Sequence, residues 1–69
     1  MADIQIFLNG EPRSVPAGTD LARMLEIFSL PAQRIAIELN KAVVRRADWA
    51  KASLDEGDRI EVVHFVGGG

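Results

Sequence analysis

Two stretches of the chain, residues 3–8 and 35–39, place hydrophobic residues at every second position, and a third, residues 59–66, begins in the same way, with Ile60 and Val62 on either side of Glu61. A period of two places every second side chain on the same side of an extended backbone. Each stretch therefore predicts a β-strand with one buried face.

Two turns are predicted between strands. Asn9-Gly10 follows the first strand, and this dipeptide is the strongest short-range hairpin signal because both residues tolerate a positive φ. The return strand covers residues 11–15 and contains Pro12, whose missing N–H predicts an edge strand. Asn40-Lys41 predicts a turn into a short strand over residues 42–45.

One helix is predicted after the first hairpin. Its apolar face repeats at i, i+3, i+4 and i+7, in Leu21, Met24, Leu25 and Phe28. We expect Thr19 to cap the first turn by accepting a backbone N–H, and Asp20 to place a negative charge where the helix dipole favours it. Leu30-Pro31 is expected to end the helix, because the residue before a proline avoids helical angles.

The remaining residues complete an α+β pattern. Residues 47–54 predict a loop with one helical turn, in which Trp49 packs in the core or at its rim, and residues 55–58 predict a turn. The order is strand, strand, helix, strand, short strand, strand. It predicts a β-grasp (ubiquitin-like) domain, a mixed sheet of about five strands with one helix on one face. The last strand is expected to lie centrally, parallel to the first.

Composition narrows the class of protein. The chain has 69 residues, no cysteine and a net charge of −2, which predicts one small cytoplasmic domain without disulfide bonds, monomeric when free. Its basic residues form no run longer than Arg45-Arg46, so we expect no nucleic-acid partner. No apolar run approaches the roughly 20 residues that span a bilayer, so we expect no membrane partner.

The chain ends in three glycines. Glycines after a strand are often a frayed end or a leftover linker. Here no serine-containing linker precedes them, the strand before them is apolar up to Val66, and they carry the terminus. We therefore predict a β-grasp domain over residues 1–66 and a flexible tail over residues 67–69 that presents the carboxylate of Gly69.

A terminal carboxylate suits acyl activation by another protein. Its intrinsic pKa of roughly 3.3–3.7 keeps it ionised at neutral pH. It can attack the α-phosphate of ATP and become an acyl adenylate, and sulfur attack then gives a thiocarboxylate. Fully extended, residues 66–69 reach on the order of 13 Å, which is enough to enter a narrow channel in a partner.

The outward face of the last strand forms a second candidate site. If Ile60 and Val62 face the core, Val63 and Phe65 face outward. Phe7 lies on the same face of the first strand, which is expected to be the neighbour. An exposed apolar patch beside a reactive terminus predicts a docking surface. The alternative is that a loop covers these side chains or that a bulge shifts the alternation.

No catalytic or metal site is expected. His64 is the only histidine, and no second ligand type clusters with it in the sequence. It also has no partner for a nucleophile–base pair. Arg45 and Arg46 are expected to be solvated. These features predict a protein on which enzymes act rather than an enzyme.

Three segments resemble one family. They are residues 40–46 followed by Trp49, residues 54–63 before and within the last strand, and the C-terminal residues 64–69, His-Phe-Val-Gly-Gly-Gly. They are similar to the corresponding segments of ThiS, the sulfur-carrier family of thiamine biosynthesis. The resemblance covers essentially the whole chain, and the tail is its most specific part.

The resemblance implies a set of partners and site residues. A ThiF-like adenylyltransferase would adenylate Gly69 with ATP and magnesium, and sulfur from a cysteine desulfurase would convert the adenylate to a thiocarboxylate. Thiazole synthase (ThiG) would accept that sulfur. Gly68 and Gly69 match the family's essential diglycine, and Phe65 matches an apolar position that helps dock the tail. The residues expected to bind partners are Phe7, Val63, Phe65, Val66 and Gly67. No cofactor is expected to be bound.

Three alternatives remain open. The small subunit of molybdopterin synthase, MoaD, shares the fold, the diglycine and the thiocarboxylate, although His64-Phe65-Val66-Gly67 favours ThiS. A ubiquitin-like modifier would instead be joined through Gly69 to lysines of other proteins. A binding module would carry the glycines as an inert end.

Overall fold

The computed structural model describes residues 2–65 and contains five strands, one α-helix and one 3₁₀-helix. The strands are β1 (Asp3–Leu8), β2 (Glu11–Pro16), β3 (Ile35–Leu39), β4 (Ala42–Val44) and β5 (Arg59–His64). The α-helix α1 covers Leu21–Ile27, and the 3₁₀-helix covers Arg46–Lys51. The predictions for Val66 and for the tail, Gly67, Gly68 and Gly69, lie outside the described residues, as does the predicted domain boundary.

The strands form one mixed sheet in the order β2-β1-β5-β3-β4. The last strand lies centrally, parallel to β1 and antiparallel to β3. β2 forms one edge, as Pro12 predicts, and pairs only with β1. This arrangement, with one helix, is the predicted β-grasp fold.

Both predicted turns are present and share one backbone geometry. Asn9 and Gly10 have φ of 51° and 83°, and Asn40 and Lys41 have φ of 52° and 74°. Two consecutive residues at positive φ are what a two-residue type I′ hairpin requires. The second hairpin is the shorter, since β4 ends at Val44 instead of the predicted Arg45.

The helix differs from the prediction at both ends. Asp20, and not Thr19, is the N-cap, because its side chain accepts the backbone N–H of Arg23 at 2.7 Å. The Thr19 hydroxyl instead donates to the carbonyl of Pro16 at 2.6 Å. The helix ends at Ile27, before Leu30. Leu30 N–H bonds to the carbonyl of Leu25 at 2.8 Å, with Ser29 at φ 54°, which is the hydrogen-bond pattern of a Schellman cap.

The hydrophobic core lies between the helix and the inner face of the sheet. Its buried side chains come from the predicted periodic positions and from Val15, Trp49 and Leu54: Ile6, Leu8, Val15, Leu21, Met24, Leu25, Ile35, Ile37, Trp49, Leu54 and Ile60. Burying each of the large aliphatic side chains contributes about 1.5–3 kcal/mol. The inner face therefore fixes which side of β5 remains free for other contacts.

Trp49 packs as predicted, at 5% exposure. Its indole Nε1 donates to the carbonyl of Val44 at 2.9 Å, so the ring also ties the 3₁₀-helix to β4. The guanidinium of Arg46 lies 4.6 Å from the ring centroid. Arg46 is therefore exposed but stacked on Trp49 rather than simply solvated.

Candidate functional site

The strand that leads to the C-terminus exposes apolar side chains on its outward face. Ile60 is fully buried, whereas Val63 is 49% exposed and Phe65 is 58% exposed. The alternation along β5 is therefore as predicted, and within residues 2–65 neither a covering loop nor a bulge hides these two side chains. Their role in docking stays a prediction.

Phe7 lies on the same outward face but is half-buried. It pairs with Arg59 in the parallel register of β1 and β5. The guanidinium of Arg59 lies 4.7 Å from the centroid of the Phe7 ring, within the range of a cation–π contact. A partner that approaches this part of the face therefore meets an arginine as well as an aromatic ring.

Two carboxylates lie opposite each other beside this patch. Glu61 of β5 pairs with Glu38 of β3, and both side chains are on the outward face. Ala36 pairs with Val63 in the adjacent position, and Val43 of β4 is 69% exposed on the far side of Glu38. The outward face thus combines exposed apolar side chains with a local negative charge.

Backbone groups of β5 point alternately toward its two neighbours. Odd-numbered residues bond toward β3: the carbonyl of Arg59 accepts from Asn40 N–H at 2.7 Å, and Phe65 N–H donates to the carbonyl of Arg34 at 2.8 Å. Even-numbered residues bond toward β1: the carbonyl of Ile60 accepts from Asn9 N–H at 2.8 Å. The contact with Arg34 holds the chain in line with β5 at the last described residue, Phe65.

Two asparagine side chains hold β5 from opposite sides. Asn9 Oδ1 accepts the N–H of Val62 at 2.9 Å. Asn40 Oδ1 accepts the N–H of Arg59 at 2.9 Å, and its Nδ2 donates to Asp58 at 3.1 Å. Sequence reasoning used both residues only as turn signals and missed these contacts. The choice of asparagine rather than aspartate at position 40 could have indicated such contacts, since an amide side chain both donates and accepts hydrogen bonds, whereas a carboxylate only accepts them.

Residues 2–65 enclose no pocket and bring together no group of three potential metal-ligating side chains. His64 is exposed at the end of β5. The described part of the chain also has no helix long and apolar enough to span a membrane. The cytoplasmic location stays a prediction.

Comparison with known proteins identifies relatives across nearly the whole chain. The family model described as "ThiS family" matches residues 6–69. The sulfur carrier protein ThiS of Escherichia coli is 27% identical over 66 residues, which are 96% of this chain and 100% of that protein. The crystal structure of the thiamine biosynthesis protein ThiS of Geobacter metallireducens superposes with a TM-score of 0.85 at 26% identity, covering 96% of this chain and 100% of that one.

A longer relative is more similar in sequence. The thiazole synthase of Magnetococcus marinus is 47% identical over 66 residues, which are 96% of this chain but only 20% of that protein. The chain thus spans about a fifth of the length of this relative. Since the family model covers both the sheet and the glycine tail, the chain belongs to the ThiS family.

Proposed function

We propose that the chain is the sulfur carrier of thiazole formation in thiamine biosynthesis and that the carboxylate of Gly69 is the group that is loaded. The observation that carries the proposal is the family match, which continues from the folded domain through Gly69. The sulfur carrier of Escherichia coli aligns over its full length. In this proposal the chain is a co-substrate, and the enzymes that act on it supply the catalytic groups.

The proposed chemistry uses the only reactive group that the tail offers. The ionised carboxylate attacks the α-phosphate of ATP, pyrophosphate leaves, and an acyl adenylate forms on Gly69. The terminal sulfur of a persulfide, which a cysteine desulfurase forms, then attacks the acyl carbon and displaces AMP. A thiol cleaves the resulting acyl disulfide: its sulfur forms a new disulfide with the sulfur that carried the persulfide, and the sulfur on Gly69 leaves with the electron pair. The product is a thiocarboxylate. ATP and magnesium belong to the adenylyltransferase, so this chain contributes the acyl group and its delivery.

Two partners follow from this chemistry. A ThiF-like adenylyltransferase activates Gly69, and a thiazole synthase consumes the thiocarboxylate. The second partner is supported by the thiazole synthase of Magnetococcus marinus, which contains a stretch 47% identical to this chain. The glycines of the tail suit both active sites, because glycine adds no Cβ to the width of the chain. The reaction is proposed to take place in the cytoplasm.

The outward face of β5 is proposed to dock these partners. Val63 and Phe65 are exposed at 49% and 58% immediately before the tail. Removing such side chains from water at an interface is favourable. Phe7, half-buried with the Arg59 guanidinium over its ring, is proposed to contribute at the margin of this face, and Val66 and Gly67 to follow Phe65 into the partner.

Intact-mass spectrometry tests the proposal. The full chain is incubated with a ThiF-type adenylyltransferase, ATP, magnesium and a sulfur donor, and we expect one oxygen to be replaced by sulfur. A chain without Gly69, and a synthetic chain ending in an amide, should fold normally and remain unmodified. Loading of the amidated chain would refute the role of the carboxylate.

The loaded chain is then offered separately to thiazole synthase and to the large subunit of molybdopterin synthase with its precursor. We expect sulfur transfer only to the first. Transfer only to the second would contradict the thiamine assignment. Covalent ladders of the chain on other proteins in cell extract would instead indicate a protein modifier.

A further inference from the structure

One edge of β5 is open over its C-terminal half. β1 pairs with β5 at only two positions, Phe7 with Arg59 and Leu8 with Ile60. β1 then turns away at Asn9-Gly10, whereas β5 continues to His64. On its other side β5 stays paired with β3 along its length, up to Ile35 opposite His64. Among residues 2–65, only the side of β5 that faces β1 is left without a neighbouring strand.

The alternation of backbone groups shows which ones this edge presents. Even-numbered residues of β5 point toward β1, and the first N–H beyond β1, that of Val62, is taken by the Asn9 side chain. The carbonyl of Val62 and both the N–H and the carbonyl of His64 come next. Among residues 2–65, no hydrogen bond from these three groups is found. They form a short acceptor–donor–acceptor row that an added strand could pair with.

The edge strand β2, on the other side of the sheet, is protected against pairing with another strand, whereas the open edge of β5 is not. In β2 the residues whose N–H groups point outward are those opposite Asp3, Gln5 and Phe7. Two of these three are prolines, Pro12 and Pro16, which have no N–H to offer. The open edge of β5 carries no proline, and the exposed side chains of Val63 and Phe65 flank it.

We propose that the open edge of Val62–His64 binds an extended backbone segment of the thiazole synthase, which adds a strand to the sheet. This inference rests on the proposed function. Two observations argue for that occupant. The thiazole synthase of Magnetococcus marinus contains a stretch 47% identical to this chain, and residues 66–69 span at most on the order of 13 Å. The protein that holds Gly69 in its active site must therefore lie beside His64. Pairing would fix the register of the tail in that active site, and Val63 and Phe65 would pack against the same segment.

Proline substitution separates the backbone role from the side-chain role. His64→Pro removes an N–H that the sheet does not use and places a ring on the open edge, whereas His64→Ala removes only the imidazole. Ser14→Pro is the matched control, because it removes an outward N–H at the far edge of β2. Affinity for purified thiazole synthase is measured by fluorescence anisotropy with the full chain. We expect His64→Pro to bind about tenfold more weakly than His64→Ala and Ser14→Pro to bind like the unaltered chain.

Amide hydrogen exchange gives a second measurement that needs no variant. In the free chain the His64 N–H should exchange rapidly, and thiazole synthase should slow it by about tenfold or more while the Ser14 N–H stays fast. This readout keeps the inference testable even if His64→Pro does not fold.

Several results would overturn the inference. Equal binding of His64→Pro and His64→Ala, or no slowing at His64, excludes strand addition while leaving sulfur loading of Gly69 intact. Failure of the unaltered chain to take up sulfur refutes the proposed function instead. Slow exchange of the His64 N–H in the free chain would also overturn the inference. If the rate depends on protein concentration, a second copy of the chain covers the edge; if the rate does not, residues of the same chain cover it. Slowing by the adenylyltransferase alone would assign the strand to that enzyme.

Discussion

The side chain of Asn9 accepts the backbone N–H of Val62 at 2.9 Å, across 53 positions of sequence. The backbone N–H of Asn9 also donates to the carbonyl of Ile60 at 2.8 Å. One turn residue thus continues the β1–β5 ladder beyond the end of β1. It holds the strand that carries the tail and, in the same place, ends the pairing and leaves the rest of the edge open.

Replacing Asn9 tests how much this contact stabilises the fold. Asn9→Gly keeps the positive φ but removes the acceptor, so Val62 N–H loses its partner. We expect the free energy of unfolding to fall by about 1 kcal/mol. This is the low end of the cost of leaving a hydrogen-bond donor without its partner, because the bond is exposed and water can replace the lost acceptor. Asn9→Asp keeps an oxygen acceptor and tolerates the turn, and should change the stability much less. Urea denaturation measures both, and equal losses would contradict the role of the side chain.

The helix cap provides a second test. Asp20 accepts the N–H of Arg23, and Asp20→Ala should lower the free energy of unfolding by about 1 kcal/mol. Asp20→Ser retains a capping oxygen and should recover most of that loss. If Thr19 were the cap, both Asp20 variants would be nearly neutral, so the pair of thermal denaturation curves distinguishes the two residues.

Much of the fold follows from local patterns, and the exceptions have a common physical cause. Alternation predicted β1, β3 and β5, and the turns Asn9-Gly10 and Asn40-Lys41 predicted the strands that follow them, because each signal depends on neighbouring residues only. Thr19 and Asp20 are both good capping residues, and the choice between them is tertiary. The carbonyl of Thr19 accepts the N–H of Leu54 at 2.8 Å, and Asp20 forms an isolated antiparallel β-bridge with Ser53. These backbone contacts orient residues 19 and 20 before the helix begins.

In the candidate site, too, the features that depend on local sequence were predictable and those that depend on tertiary structure were not. The exposure of Val63 and Phe65 follows from the alternation in β5 and was predictable. The contact between the Arg59 guanidinium and the Phe7 ring was not predictable, because it requires the parallel register that places Arg59 beside Phe7. The open edge of Val62–His64 was also hidden, since it depends on where β1 stops relative to β5 in space.

The facing carboxylates on the sheet predict a gain in stability on substitution. Glu38 and Glu61 occupy directly opposed positions on β3 and β5, and like charges in such a pair are destabilising. Glu61→Gln should raise the free energy of unfolding by about 0.5 kcal/mol at low salt. Added salt should shrink the difference, because it screens charges at the surface. A gain that does not depend on salt would exclude repulsion as its cause.

Phe65 and Val43 form a matched pair for testing the docking surface. Both are exposed apolar side chains, at 58% and 69%, so truncating either should change the free energy of unfolding by no more than about 0.5 kcal/mol. Phe65 adjoins the tail, whereas Val43 lies on the edge strand β4, beyond β3. Phe65→Ala should therefore lower kcat/KM for adenylation of Gly69 about fivefold or more, the cost of losing about 1 kcal/mol at an interface. Val43→Ala should leave kcat/KM within about twofold of the original. Equal losses in the two variants, measured by AMP-forming turnover at limiting carrier concentration, would show that the docking surface is not centred on β5.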